Sequence, residues 1–255
     1  YIHGKLERWE GAMSTKNYIN LQATEFDGYI YRVMPLGRFY ELFANKQNVL
    51  VRPSKWDDPF ENFILNAPAR LADGTIAKFA FNNDFYGQCW TRQTSSDAIW
   101  RIYSPDKTGV RVRTTIRNLL TGLQAPLGDW AHKQAFIGKV QYMGDRKLVE
   151  FGNKVFRGGL HVRALAETLL VKRNAFIHER EVRLLYLEKN KGKQDIYAYS
   201  VDPHALIDQI MIDPRLPLSD VNKVKDEIRR RTGFKGRIMR SLLYAPPKDM
   251  IFPIG

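Results

Sequence analysis

The chain has 255 residues, 44% hydrophobic and 12% aromatic, which suits one large domain or two small ones and excludes a disordered tail, a collagen-like fibre and a coiled-coil rod. One cysteine, Cys89, excludes a disulfide framework and a cysteine-rich metal site, and no apolar run approaches the roughly 20 residues that cross a bilayer. Lys and Arg outnumber Asp and Glu by 40 to 27, a net charge of +13, and that field favours nucleic acid, nucleotides or an anionic protein as partner.

Residues 1–10 lack the apolar core of a signal peptide, so the expected compartment is the cytoplasm. Residues 1–27 read as an N-terminal extension, of which 1–13 are set aside from the functional reading, and 28–255 as a single catalytic-like domain. Aromatic and β-branched residues around Arg32 predict a strand over 29–33. Phe39, Leu42 and Phe43, three and four residues apart, predict a helix over 36–45. A strand over 48–52 stops at Pro53, and a loop from Ser54 to Glu61 turns the chain. Residues 86–91 are strand-like, and Ser96 or Asp97 caps a short helix through Tyr103. A strand over 108–114 precedes a helix over 116–122, and 136–142 is another strand. The stripe Leu160, Ala164, Leu165, Thr168 and Leu169 predicts a helix over 160–173. Strands follow at 181–187 and 196–200 and within 206–212, ending at Asp213-Pro214. Ser219 caps a helix over 220–232 with a glycine at its end, and 238–243 is the last strand. Strands and helices mingle without regular alternation, so the expected class is α+β: small, mostly antiparallel core sheets with peripheral helices.

Walker-type, Gly-x-Gly-x-x-Gly, Gly-x-Ser-x-Gly and His-Glu-x-x-His motifs are absent. The histidines lack metal-ligand spacing, and only His178 lies near other chemistry. The most informative stretch runs from Phe176 to Tyr186. On a strand, alternation would put Glu179, Glu181 and Arg183 on one face. Adjacent carboxylates raise the pKa of at least one and suit the stabilisation of a sugar cation; a solvated, salt-bridged strand face is the other reading.

Arg32 stands in the apolar stretch Tyr29-Ile30-Tyr31-Arg32-Val33, where an arginine needs an anion or a carboxylate. A phosphate suits its planar fork, as does an ion pair with Asp57, Asp58 or Glu181. Thr91 sits at a strand end, where a hydroxyl orients polar neighbours. Trp100 and Tyr103, three apart, face one way on a helical turn and offer a wall for a flat heterocycle, or ordinary core packing. Cys89 has no activating base and reads as buried and inert. Residues 223–240 carry eight Lys and Arg: Lys223, Lys225, Arg229, Arg230, Arg231, Lys235, Arg237 and Arg240. Arg111, Arg113 and Arg117 form a smaller cluster. Such a run is a solvated helix face or a phosphate-backbone contact.

In order, Tyr31-Arg32, Trp56-Asp57-Asp58-Pro59-Phe60-Glu61, Cys89-Trp90-Thr91, Trp100-Arg101-Ile102-Tyr103 with Gly109, and Glu179-Arg180-Glu181-Val182-Arg183 resemble a bacterial and phage family defined only as a domain of unknown function. Thr91 stands for the usual Ser, Val182 for Trp and Asp57 for Asn. More distantly, Arg32, Thr91 and Glu179/Glu181 resemble the element order of ADP-ribosyltransferases of the arginine–serine–glutamate type. That resemblance implies NAD as co-substrate and no metal, with Arg32 on a phosphate. Thr91 would orient the catalytic glutamate, and Tyr31, Trp100 or Tyr103 would lie against the cofactor. Glu181 would hold the ribose and stabilise the transition state, and Glu179 would face the acceptor. It implies a toxin or phage-defence effector acting on nucleic acid or an associated protein, with an antitoxin as a further partner.

Two other classes compete. A metal-dependent nuclease would use Asp57, Asp58, Glu61, Glu179 and Glu181 as hard-metal ligands, and a non-enzymatic basic module would only bind nucleic acid. Convergence of Arg32, Thr91 and Glu181 on a cleft separates the first reading from these.

Overall fold

The computed structural model describes residues 15–56, 58, 61–70, 73–77, 84–157, 161–188 and 194–246. Its strands are β1 (Tyr18–Ile19), β2 (Tyr29–Met34), β3 (Gln47–Val51), β4 (Ala69–Arg70), β5 (Ile76–Ala77), β6 (Phe85–Thr91), β7 (Val110–Thr115), β8 (Ala135–Lys139), β9 (Gln141–Met143), β10 (Val171–Arg173), β11 (Glu181–Leu187), β12 (Ile196–Ser200), β13 (Gln209–Ile212) and β14 (Arg237–Arg240). Its α-helices are α1 (Leu36–Asn45), α2 (Phe63–Asn66), α3 (Asp97–Tyr103), α4 (Ile116–Gln124), α5 (Ala131–Gln134), α6 (Asp145–Arg157), α7 (Val162–Thr168), α8 (Pro203–Leu206) and α9 (Leu218–Thr232).

The main sheet runs β1-β8-β11-β6-β2-β7-β13-β14 and is mostly antiparallel. It is two four-stranded halves joined by a single residue pair, Tyr31 of β2 opposite Thr91 of β6. The fold is thus α+β and mostly antiparallel as expected, but among the described residues its centre is one large ten-stranded sheet rather than separate small sheets. The β3–β12 pair attaches through Val51 opposite Gly87.

Alternation decides what each face carries. Ile30, Val112, Ile210 and Ile238 turn to one side of the second half, and Trp90, Val182, Leu184 and Tyr186 to the same core in the first. Phe39, Tyr40, Leu42 and Phe43 of α1 and Leu119, Leu120 and Leu123 of α4 close over that core. The other face of β6 and β11 meets α7 and its C-terminal flank through Leu165, Leu169 and Leu170. Ser96 accepts a hydrogen bond from Ile99 N (3.3 Å) and caps α3; Thr115 does the same for α4 from Asn118 N (3.1 Å).

Several expected elements differ. The helix expected over 160–173 is α7 followed by strand β10, and Leu160 lies outside the described residues. The apolar run Leu169-Leu170-Val171 fits a buried strand as well as a helix stripe, and β10 pairs in parallel with β9. The strand expected over 136–142 breaks at Val140 into β8 and β9. Helix α6 has no counterpart among the expected elements. α9 starts at Leu218 behind Pro217, so Ser219 sits in its first turn rather than at its cap.

Candidate active site

Register puts Glu181 opposite Thr91 and Arg183 opposite Cys89, on one face of β11 and β6. Charged side chains in so apolar a strand need partners, and these two have them. Arg183, fully buried, donates from Nε to Glu181 Oε2 (2.6 Å) and from Nη1 to the Leu169 carbonyl (2.8 Å). Its Nη2 lies 3.1 Å from Glu61 Oε2, and its guanidinium stacks over the Trp56 ring, 4.5 Å from the centroid. A Cβ at Gly87 would come within 2.5 Å of that indole, so this arrangement requires glycine there. The centre of the cluster is Lys172 of β10. Its ammonium is 2.6 Å from Glu61 Oε1, 2.6 Å from Glu179 Oε2 and 2.9 Å from Glu181 Oε1.

Lys172 and Trp56 carry no functional signal in the sequence, yet both belong to the cluster. Lys172 follows three apolar residues, the one signal that its side chain is buried. Reading the segment as helix concealed its direction. Glu61, a metal candidate by sequence, is instead paired with Lys172 and Arg183. Lys172 now fills the centre of the carboxylate trio, Asp58 pairs with Arg173 at 3.4 Å, and Asp57, Pro59 and Phe60 lie outside the described residues. Among the described residues, no group of three or more His, Cys, Asp or Glu side chains is arranged to hold a metal ion.

Glu179 does not share the strand with Glu181. It ends the 3₁₀ turn Asn174–Glu179, and Arg180 follows in the left-handed conformation (φ 47°), which a non-glycine residue adopts only at a cost. The two glutamates meet through Lys172 and through a hydrogen bond between their carboxyls, not through strand alternation. Thr91 holds that turn: its hydroxyl donates to the Glu179 carbonyl (2.5 Å) and accepts from Gln93 N (2.9 Å). It therefore orients the backbone of Glu179, not the carboxylate of Glu181. Gln93 Nε2 also donates to the carbonyl of His178 (3.0 Å), whose side chain is exposed.

The two carboxylates titrate apart. Burial and the hydrogen bond and charge of Glu181 push Glu179 up to about 8. Burial alone would raise Glu181 too, but Arg183, the hydrogen bond with Glu179 and Lys172 hold it well below the usual carboxylate range. Burial raises Glu61 against the pull of Arg183. Near neutral pH, Glu181 is the anion and Glu179 carries a proton. A raised folded-state pKa gives stability that is full below the unfolded value of about 4.3 and is lost as pH climbs through about 8. Glu179→Gln removes that dependence. Relative to the wild type, this variant should gain about 2 kcal/mol between about pH 6 and pH 8, read from urea unfolding at each pH. A constant difference would contradict the assignment.

Arg32 lies one residue beyond the bridge that joins the half-sheets, beside Cys89 of β6, Tyr103 at the end of α3 and Tyr199 of β12, and burial lowers its pKa. Glu181 and Asp58 are taken by other cations, and Arg32 has no hydrogen bond or ion pair among the described residues. Burial pushes the Cys89 thiol up, as expected of an inert cysteine. The aromatic wall divides. Trp100, 1% exposed, packs with Val33 and Ile99 in the core and has no face to offer a ligand, whereas Tyr103 is 42% exposed. Tyr31 is buried under the Arg111 guanidinium, 4.4 Å from its ring centroid.

The basic run is spread over α9, the loop after it and β14. Lys223, Arg229, Arg230, Arg231, Lys235 and Arg237 are exposed, Lys225 and Arg240 half-buried. Only Val221 and Ile228 of α9 are buried, so the charged run is its solvent side.

The sequence matches no protein-family model and no curated protein, so the ordered signature noted above remains a resemblance. Among solved structures it is similar to Thermus sp. 2.9 DarT in complex with carba-NAD+ and to the same protein in complex with ADP-ribosylated ssDNA. Both are 10% identical with a TM-score of 0.39, cover 84% of this chain, and are themselves covered over 96% and 94% of their length. A likeness at that level of superposition carries no inference about this chain.

Proposed function

We propose that the chain is an NAD-dependent ADP-ribosyltransferase with a nucleic-acid acceptor, using Arg32, Thr91, Glu179 and Glu181. The supporting observation is Arg32, half-buried and without a carboxylate partner among the described residues, which follows Tyr31 of the row Tyr31–Thr91–Glu181 and, opposite Val112, lies on the core side of the junction between the half-sheets. A desolvated guanidinium with no counter-charge is a ready receptor for a phosphate. When bound, NAD supplies a ribosyl carbon that becomes positive as nicotinamide leaves. Glu181 supplies a fixed negative charge, its two oxygens held by Lys172 and Arg183. The acceptor loses a proton as it bonds to the ribosyl carbon, and the less buried Glu179 accepts it in its deprotonated form, so transfer rises as pH climbs through about 8. Thr91 fixes the backbone that presents Glu179, and Tyr103 offers the exposed ring. Lys172 at the centre of the carboxylates favours this reading over a metal-dependent nuclease, for which those oxygens would have to be free.

Arg32→Met should weaken NAD binding about 10- to 100-fold, the worth of a charged hydrogen-bond contact. The same variant should melt somewhat higher than the wild type, because it removes a half-buried charge that has no partner among the described residues. Calorimetric titration with NAD and thermal melting read the two effects. Unchanged NAD affinity would contradict the proposal.

A further inference from the structure

The row through Thr91 does not stop at the junction. Glu181 pairs with Thr91, Thr91 with Tyr31, Tyr31 with Arg113, Arg113 with Gln209, and Gln209 with Arg237. Residues paired across strands share a face. Ile30, Val112, Ile210 and Ile238 face the core, so Tyr29, Tyr31, Arg111, Arg113, Gln209 and Arg237 take the opposite face, where Tyr29 and Arg237 are exposed, Arg113 is half-buried, and Tyr31, Arg111 and Gln209 are buried. At about 4.8 Å per strand, Thr91 and Arg237 lie about 19 Å apart along it.

Part of this surface is closed: α3 covers Val33 and Met211 with Ile99 and Trp100. The part carrying Tyr29, Arg113 and Arg237 is more open. Tyr29 is 48% exposed, with the Arg113 guanidinium 4.0 Å from its ring centroid. Asp208 grips Arg113 through two hydrogen bonds of 2.8 Å and fixes its plane. Arg237 at the sheet edge is exposed, as is Lys235 two residues before it; α9 packs on the core face of the sheet, and its Arg231 lies over the Tyr40 ring of α1.

We infer that the open part of this sheet face, Tyr29, Arg113 and Arg237, is the landing surface for a single-stranded nucleic acid, on the side of the sheet that leads toward Thr91 and Glu179. The inference deepens the proposed function, and rests on it for the identity of the acceptor. Positive charge complements the phosphates. An exposed tyrosine layered with a guanidinium gives unpaired bases a stacking surface of the kind that sequence-tolerant single-strand binders use. A duplex hides its base faces and would leave Tyr29 idle.

The test uses the full chain without NAD and a fluorescein-labelled, mixed-sequence DNA oligonucleotide, single-stranded or annealed, read by fluorescence anisotropy. Tyr29→Ala should weaken single-strand binding about 5- to 100-fold and leave duplex binding unchanged. Tyr29→Phe should bind like the wild type. Arg237→Ala should lower the salt dependence of binding by about one phosphate contact. Wild-type affinity in both Tyr29→Ala and Arg237→Ala, or equal losses on single strand and duplex, would overturn the surface. Loss of binding in these variants, with a wild type that never consumes NAD, would support the surface and sink the transferase reading. Unchanged transfer to single-stranded DNA by the double variant would do the reverse.

Discussion

Lys172→Met is expected to lower the melting temperature by about 6–20 °C, from a loss of about 3–5 kcal/mol on removing one partner of a buried ion network. The ammonium is the shared neighbour of three carboxylates. Without it, Glu61, Glu179 and Glu181 face each other with Arg183 alone to balance them. Their pKa values would rise. Stability gained through a raised carboxyl pKa is present in acid and lost as pH climbs. The deficit should therefore be larger at about pH 8 than at about pH 5. Lys172→Arg keeps the charge and should recover part of the loss. Differential scanning calorimetry of both variants at the two pH values checks this. A Lys172→Met protein that melts like the wild type would mean the cluster is solvated and loosely held.

Glu181→Gln should reduce NAD turnover about 100- to 1000-fold, the usual cost of deleting one preorganised electrostatic group. Gln keeps the shape and removes the charge. Arg183 would still reach the Leu169 carbonyl at 2.8 Å and Glu61 at 3.1 Å, so the fold should survive, with melting temperature as the control. Glu179→Gln should act differently. Its carboxyl is the less buried of the two and titrates near 8, so its loss should impair transfer to the acceptor more than NAD hydrolysis. Nicotinamide release measured beside labelled acceptor separates the two. Undiminished turnover in a folded Glu181→Gln protein would remove this residue from the chemistry.

Much of this arrangement is legible in the residues alone, because strand alternation is a local signal. The pattern over β2, β6 and β11 announces their faces, and α1 is bounded as its apolar spacing predicts. Other features depend on contacts that no local pattern carries. Glu179 leaves the strand because Arg180 takes a left-handed turn, held by bonds from Thr91, Gln93 and the Arg92 amide that no local pattern announces. Lys172 looks like the end of an amphipathic helix until β9 claims its segment as a strand. Trp100 has the spacing of a pocket aromatic, but Val33 and Ile99 enclose it. Arg32 is the reverse case: an arginine between apolar neighbours signals an anion, and the described side chains supply none.

The most direct test is incubation of the full chain with NAD labelled in its adenylate phosphate, with single-stranded DNA, RNA and protein as separate acceptors. Release of nicotinamide and label stably joined to nucleic acid are followed together. The wild type should label a nucleic acid and release nicotinamide; at NAD concentrations well below saturation, Arg32→Met should do both about 10- to 100-fold less and Glu181→Gln about 100- to 1000-fold less, while remaining folded. A wild type that releases no nicotinamide and labels no acceptor would contradict the transferase reading.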